Sequence, residues 1–426
     1  MSKIVDVLAR EVFDSRADIT LEVEIHLESG VTAKAIIPSG TSMGKYEAVE
    51  VRDNDMARFA GKGVLNAIHN IREVIRPQLL GMSVFEQLKI DHMLIALDGT
   101  SNKRRLGANA ILGISLAVAK AAAEERHEEL CDYLNEDQQP LSIPTPIFSM
   151  LSGGRHGIGN CDFQDFQIII LKTQNLMDSM RIGKEIYQAL KSILMNNSVA
   201  IGVSGTGGLM PTLTRNEQGL TLLIQAIKAA GYAPGIDVGL SMDLAAEMFY
   251  EKGRYNLFAD KLSLTTDEFI NYLVALCDKY PIVLMEDPLG EDDHAGWQKL
   301  TQRIGNKIEL VGDDLFTTNI ERFNQGFSQH IANSILVKPN QIGTLSETTQ
   351  IIKHAMKSGY GVVVSRRSGE TEDTFIADLA VAFHCPKVKF GSFARTESLA
   401  KYNRLIRLKE IIDNRKIKNR QEISFS

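Results

Sequence analysis

Three acidic residues each close a short apolar run: Asp243 after VGLSM, Glu286 after YPIVLM and Asp313 after IELVG. Carboxylates gathered in one place repel, so a fold that brings them together needs a cation or a proton among them. Oxygen ligands with no His or Cys suit Mg2+, which keeps waters or substrate oxygens in its remaining positions. Any one of the three, taken alone, reads better as a solvated loop residue or a helix N-cap. Three at successive run ends point to metal. A fourth run, SILV, is followed by Lys338. A lysine near low-dielectric walls and other cations is expected to have its pKa pushed down, which makes it a usable base. Arg366, Arg367, Lys389 and Arg155 would add positive charge around the same place, a set suited to a ligand carrying both phosphate and carboxylate. Each of these cations alone is an ordinary surface side chain. The glycine-bearing stretches PSGTSMGKYE and SGGRHGIGN read as loops able to close over a site, although Gly153 and Gly154 beside His156 fit a plain turn as well.

The elements that must carry these residues follow from the pattern. The first ~60 residues hold alternating segments, ITLEVEIHLESG and VTAKAIIPSG, that read as strands of a small antiparallel sheet. Residues 56–135 read as helices, with LGANAILGISLAVAKAAAEE as one apolar helix whose small residues imply close packing. The polar, proline-bearing NEDQQPLSIPTP is the expected linker between domains at 1–135 and 136–426. Beyond it, apolar runs alternate with helical segments and stop at polar residues every 25 to 40 positions, near the roughly 30 residues of a strand–helix unit. GYGVVVS leads to Arg366 and Arg367, and KVKFGS carries Lys389. A (β/α)8 barrel would turn all these ends to one mouth. A doubly wound open sheet gives a similar texture, and periodicity alone does not separate the two.

Composition narrows the function. The 426 residues are 44% hydrophobic and 23% charged, with a formal net charge of −6. This indicates a packed globular chain and argues against nucleic acid or an anionic membrane as the main partner. Cys131, Cys161, Cys277 and Cys385 are scattered without a CxxC pair, which suits reduced cytosolic thiols. The N-terminus is charged within its first ten residues and shows no signal-peptide core, and no run reaches the ~18 apolar residues of a membrane span.

Several segments resemble the enolase family. DSR at 14–16, PSGTSMG at 38–44, GKGV at 61–64 and LGANAILGISLA at 106–117 are similar to its N-terminal domain. GGRH at 153–156, MEDP at 285–288, LVGDDLFTTN at 310–319, ANSILVKPNQIGTLSET at 332–348, RSGETEDTFIADLA at 367–380 and AKYNRLIR at 400–407 look like its barrel. The resemblance implies an α/β protein, an N-terminal α+β capping domain on a modified (β/α)8 TIM barrel, in dimers or larger homo-oligomers in the cytoplasm. It implies Mg2+ as cofactor and a small anionic phospho-carboxylate as substrate, with interconversion of 2-phosphoglycerate and phosphoenolpyruvate plus water. By the same resemblance, Asp243, Glu286 and Asp313 match the ligands of the tight magnesium, and Ser42 matches the serine that binds a second one. Lys338 matches the base that takes the C2 proton. Arg367 and Ser368 match the phosphate contacts, Lys389 holds the other end of the substrate, and Gln164 and His156 are further substrate contacts.

The chain also departs from the family. Ser204-Gly205-Thr206-Gly207-Gly208 stands where the family has Gly-Asp-Glu-Gly-Gly, whose Glu protonates the departing C3 hydroxyl. Thr206 cannot do that at neutral pH, and losing a general acid costs about 10² to 10⁴ in rate. Asp165 replaces a second acidic helper, a Glu, and is one methylene shorter. Arg366 replaces a histidine before Arg367, a fixed cation that would suit a more anionic ligand. Ala17-Asp18-Ile19 and Met43 depart from the usual Gly-Asn-Pro and Thr. The changes gather on the leaving-group half of the site, while the proton-abstraction half is kept. Three readings follow: an enolase with its usual acid replaced by Thr206; an enzyme that uses the metal-bound enolate on a phosphonate or related carboxylate; and a non-catalytic enolase-like binding protein, against which the retained metal ligands and Lys338 argue.

Overall fold

The computed structural model describes residues 2–40, 44–157, 161–173, 175–196 and 201–424, with side chains described to residue 417. At the N-terminus, β1 (Ile4–Phe13), β2 (Ile19–Leu27) and β3 (Thr32–Ile36) form an antiparallel sheet in that order. β2 and β3 are the two alternating segments; β1 was not legible as a strand because charges interrupt its apolar positions. Ile19, Leu21, Val23, Ile25 and Leu27 alternate along β2 and are all buried. They pack beneath a helix, Ala108–Glu125, that is almost wholly buried. Its small residues are there for close approach: a Cβ on Gly113 would come within 2.5 Å of Val23 Cγ2.

The second part of the chain closes on itself. Eight strands, β4 (Thr145–Ser152), β5 (Asp165–Ile170), β6 (Val238–Asp243), β7 (Ile282–Glu286), β8 (Glu309–Gly312), β9 (Ser334–Val337), β10 (Gly361–Ser365) and β11 (Lys387–Gly391), pair in chain order, and β11 pairs back onto β4. This closure excludes the open sheet. Helices follow most strands and cover the outside, and a short hairpin of Gly202–Val203 and Leu209–Met210 adds to β4. Ile147, Ile169, Leu284, Val311, Leu336 and Val363, one from each of six strands, make a cluster separate from the main core. They form a layer inside the barrel, as inward-facing residues of alternate positions must. Pro146, expected in the linker, instead lies within β4 opposite Val388.

One strand runs the other way. β5 is antiparallel to both β4 and β6, with Asp165 opposite Ser152 and Asp243. Its first residue therefore sits at the end of the barrel where its neighbours have their last. No helix among the described residues is long and apolar enough to cross a membrane.

The two parts are joined by buried polar contacts. Asp91 accepts from Ser346 N at 2.9 Å and Ser346 Oγ at 2.6 Å, and Lys120 Nζ lies 2.6 Å from Asp373 Oδ2. These pins set the N-terminal loops against the barrel's C-terminal face.

Candidate active site

The charged residues expected at the mouth do meet there, but in a particular order. Asp243 ends β6 and Glu286 ends β7, and between them lies Lys389 Nζ, 2.8 Å from Asp243 Oδ2 and 2.7 Å from Glu286 Oε2. Lys389 is not a strand end: it is the third residue of β11, facing inward by the alternation of that strand. Gln164 Nε2 adds a hydrogen bond to Asp243 Oδ2 at 3.1 Å. Burial alone would raise Asp243, but the Lys389 ammonium holds it below the usual carboxylate range. Glu286 stays well above it, from burial and the neighbouring Asp243 charge. Its second oxygen, Oε1, is buried with no hydrogen-bond partner.

Asp313 follows β8 and pairs with Lys338, which follows β9. Its other oxygen accepts from Gln341 Nε2 at 2.8 Å, and Gln341 Oε1 in turn accepts from Thr318 Oγ1 at 2.7 Å. The Lys338 pKa runs against the expectation. Burial pushes it down, but the Asp313 and Glu286 carboxylates outweigh burial and leave it above its ordinary value. An ammonium ringed by anions keeps its proton.

Arg367 reaches Glu47 Oε2 at 2.8 Å and Asn340 Oδ1 at 3.4 Å, so a residue of the PSGTSMGKYE stretch touches the barrel directly. Ser368 lines the same cavity, beside His156, Gln164, Thr206, Lys338 and Lys389. Burial brings His156 down to about 4, which makes it neutral, and its Nδ1 has no partner. Ser42 falls outside the described residues.

On the leaving-group side, Arg366 lines the same cavity. Its guanidinium donates to the carbonyls of Arg367, Gly205 and Ser368 and to Ser398 Oγ. Thr206 Oγ1 lies 2.8 Å from Ser204 Oγ and 3.3 Å from Ser152 Oγ, a cluster of hydroxyls. Asp165 is fully buried; its Oδ2 accepts from Ser149 Oγ at 2.5 Å and from Gln167 Nε2 at 3.2 Å, while Oδ1 has no partner. Burial raises Asp165 to about 7 despite the nearby Lys389. Ser149, not Asp165, lines the cavity.

Among the described residues, the acidic group close enough to share one ion is Asp287, Asp313 and Asp314, with ligand atoms within 4.8 Å of one another. It has only Asp313 in common with the set expected from the sequence. Lys389 separates Asp243 from Glu286 in charge balance, and Asp287 is occupied as a loop brace, accepting from Asp313 N and Asp314 N at 2.9 Å. The expected set has the donor chemistry of a hard divalent cation, since it is all oxygen, it is buried, and Glu286 Oε1 has an unused lone pair, but its three carboxylates are not gathered as closely as Asp287, Asp313 and Asp314. Gln341, Glu47, Ser149 and Asp287 were missed from the sequence. Asp287 adjoins Glu286 and Gln341 stands three residues after Lys338, but neither spacing distinguishes them from solvated polar residues.

A family model described as "Enolase, C-terminal TIM barrel domain" matches residues 140–424, and one described as "Enolase, N-terminal domain" matches residues 4–134.

Proposed function

The chain belongs to the enolase family, and on that premise we propose that it is a magnesium-dependent carbon–oxygen lyase acting on a small phospho-carboxylate. The reaction is the interconversion of 2-phosphoglycerate and phosphoenolpyruvate plus water. The observation that carries this reading is the pairing of two lysines, half-buried Lys338 and buried Lys389, with Asp313, Asp243 and Glu286 around one cavity that Arg367 and Ser368 also line.

Asp243, Glu286 and Asp313 would hold the magnesium, which when bound supplies positive charge that stabilises an enolate formed from the substrate carboxylate. Ser42 is the proposed contact for a second one. Arg367 and Ser368 bind the phosphate, with Arg367 oriented by Glu47. Gln164 and His156 add contacts at the other wall. Lys389 holds the carboxylate end. Lys338 removes the C2 proton, which requires that it first lose its own proton to solvent, a loss that its pairing with Asp313 opposes, because an ammonium has no free lone pair. On the far side Thr206 keeps its proton at neutral pH. The carboxyl that remains for the acid's part is Asp165, which reaches the cavity wall at Ser149. As a family member the protein is proposed to act as a homodimer or larger homo-oligomer in the cytoplasm.

A second reading is favoured by one observation, the hydroxyl cluster at Thr206 where the family's acid is expected. There the enolate forms in the same way, but on a phosphonate or related carboxylate whose distal group needs no protonation to leave.

NMR of 2-phosphoglycerate in heavy water with Mg2+ decides between them. The lyase reading expects C2 deuterium exchange and phosphoenolpyruvate together. Exchange without product favours the second reading. Neither signal removes both.

A further inference from the structure

The turn that carries Thr206 is held at every carbonyl. Val203 O accepts from Arg395 Nη2 at 3.1 Å, and Ser204 O from Arg395 Nε at 2.8 Å and Gly207 N at 3.0 Å. Gly205 O accepts from Arg366 Nη2 at 3.0 Å, Thr206 O from Ser392 N at 2.8 Å, and Gly207 O from Tyr187 Oη at 3.0 Å. Five successive carbonyls of a connecting turn are thus fixed by partners from three other parts of the chain. A turn of this kind is ordinarily solvated and mobile.

Arg366 is the member that links this turn to the rest of the site. Nη2 also donates to Ser368 O at 3.2 Å and Nε to Arg367 O at 2.8 Å, while Nη1 reaches Ser398 Oγ at 2.6 Å. Its nearest carboxylate, Glu397 Oε1, is 3.9 Å away. The guanidinium is buried, yet all four acceptors are neutral. A charge is costly to bury and is retained where its fixed fork of donors satisfies several acceptors at once. The two segments it spans touch: a Cβ on Gly205 would lie 3.4 Å from Ser368 O. Gly391, at φ +93°, leaves room beside the fork, since a Cβ there would stand 2.6 Å from Thr206 O and 3.1 Å from Arg366 Nη1.

We propose that Arg366 is a positioning residue that locks the Ser204–Gly208 turn to the Arg367–Ser368 segment, making Thr206 a fixed hydroxyl wall of the cavity and setting the pose of the phosphate contacts. A turn fixed in this way does not swing to deliver a proton. It presents a hydrogen-bonding surface of set shape to the distal end of the ligand, so Thr206 selects by fit and hydrogen bonding. This second half rests on the phospho-carboxylate reading; the locking itself does not.

Amide hydrogen exchange on the Mg2+-loaded protein tests the lock without substrate. Arg366→Gln is expected to speed exchange of the 204–208 amides roughly tenfold or more, the loss of one charge-assisted hydrogen bond, while β7 and β8 exchange as before. Affinity for inorganic phosphate, titrated calorimetrically, is expected to fall roughly tenfold at the same time. Arg366→Lys, which keeps the charge but not the fork, gives an intermediate change in both and serves if the Gln variant does not fold. Unchanged exchange at 204–208, or a rise no larger than in β7 and β8, overturns the proposal. So does phosphate affinity lost with the turn unchanged, because Arg366 would then be a direct contact. Failure of C2 exchange on 2-phosphoglycerate with wild-type protein overturns the lyase reading instead and leaves the turn measurement standing.

Discussion

Lys389 Nζ sits 2.7 Å from Glu286 Oε2, while the other oxygen of the same buried carboxylate has no hydrogen-bond partner. One lysine thus satisfies half of Glu286 and ties it to Asp243. Removing the ammonium leaves two buried carboxylates facing each other, and breaking a buried pair costs about 3–5 kcal/mol. Lys389→Met is expected to lower the Tm strongly in EDTA. Millimolar Mg2+ is expected to raise the Tm of the wild type by linkage and to raise that of the variant further. Calorimetry with and without Mg2+ checks this. No Mg2+ effect on either protein would count against a metal held by Asp243 and Glu286, and Asp313→Asn is expected to shrink the wild-type effect.

Lys338 is held protonated by Asp313. Lys338→Ala is expected to reduce C2 deuterium exchange on 2-phosphoglycerate by at least the roughly 10² to 10⁴ typical of a general base. Its fold should survive, because Asp313 keeps its Gln341 hydrogen bond. Undiminished exchange would remove Lys338 from the mechanism.

Restoring a carboxylate at Thr206 is expected to fail as a repair. Thr206 Oγ1 is packed among the Ser204 and Ser152 hydroxyls on a turn fixed on all sides, and a glutamate must displace them. Thr206→Glu should cost about 1–3 kcal/mol from overpacking. It should leave phosphoenolpyruvate formation below ordinary enolase rates, since Asp165 and Arg366 also differ. Ordinary rates from this single change, measured by phosphoenolpyruvate absorbance, would show that the clustered departures are not one specialisation.

Glu291 gives a pH test. It is buried beside Glu247 and Asp292, and burial with these neighbouring charges raises it from 4.5 to about 7. A carboxyl raised in the folded state adds nothing adverse below pH 4.5, where it is protonated folded and unfolded alike. Its ionisation cost grows from there and is complete above pH 7. Glu291→Gln in EDTA is therefore expected to raise Tm by a few degrees at pH 8 and to change little at pH 4.5. A gain that is equal at both pH values, or larger at low pH, would contradict this assignment.

The barrel was readable because its strands are short apolar runs that stop at a polar residue, and that pattern survives without knowledge of neighbours. Asp243 and Glu286 end such runs, and Asp313 and Lys338 directly follow them. Asp165 has no such signal: it begins a strand, and only the reversed direction of β5 carries it to the mouth. Gln341 sits on a short helix of the barrel and meets Asp313 of the preceding strand–helix unit once the barrel closes, whereas Glu47 sits on a loop of the N-terminal part and meets Arg367 only after the two parts dock.

The sequence by itself determined the alternating elements, the family and the types of residue gathered for proton abstraction, because periodicity and local motifs need no long-range contact. Tertiary structure alone decided the closure of the sheet by β11 on β4 and the charge state of the site. The Lys338 pKa goes up instead of down because Asp313 and Glu286 face it from other strands. Arg366 binds the backbone of Gly205 and Ser368 because a turn 161 residues away packs against it. Charge and hydrogen-bond partners are properties of what lies within a few ångströms, and at this site those neighbours are far apart in the chain.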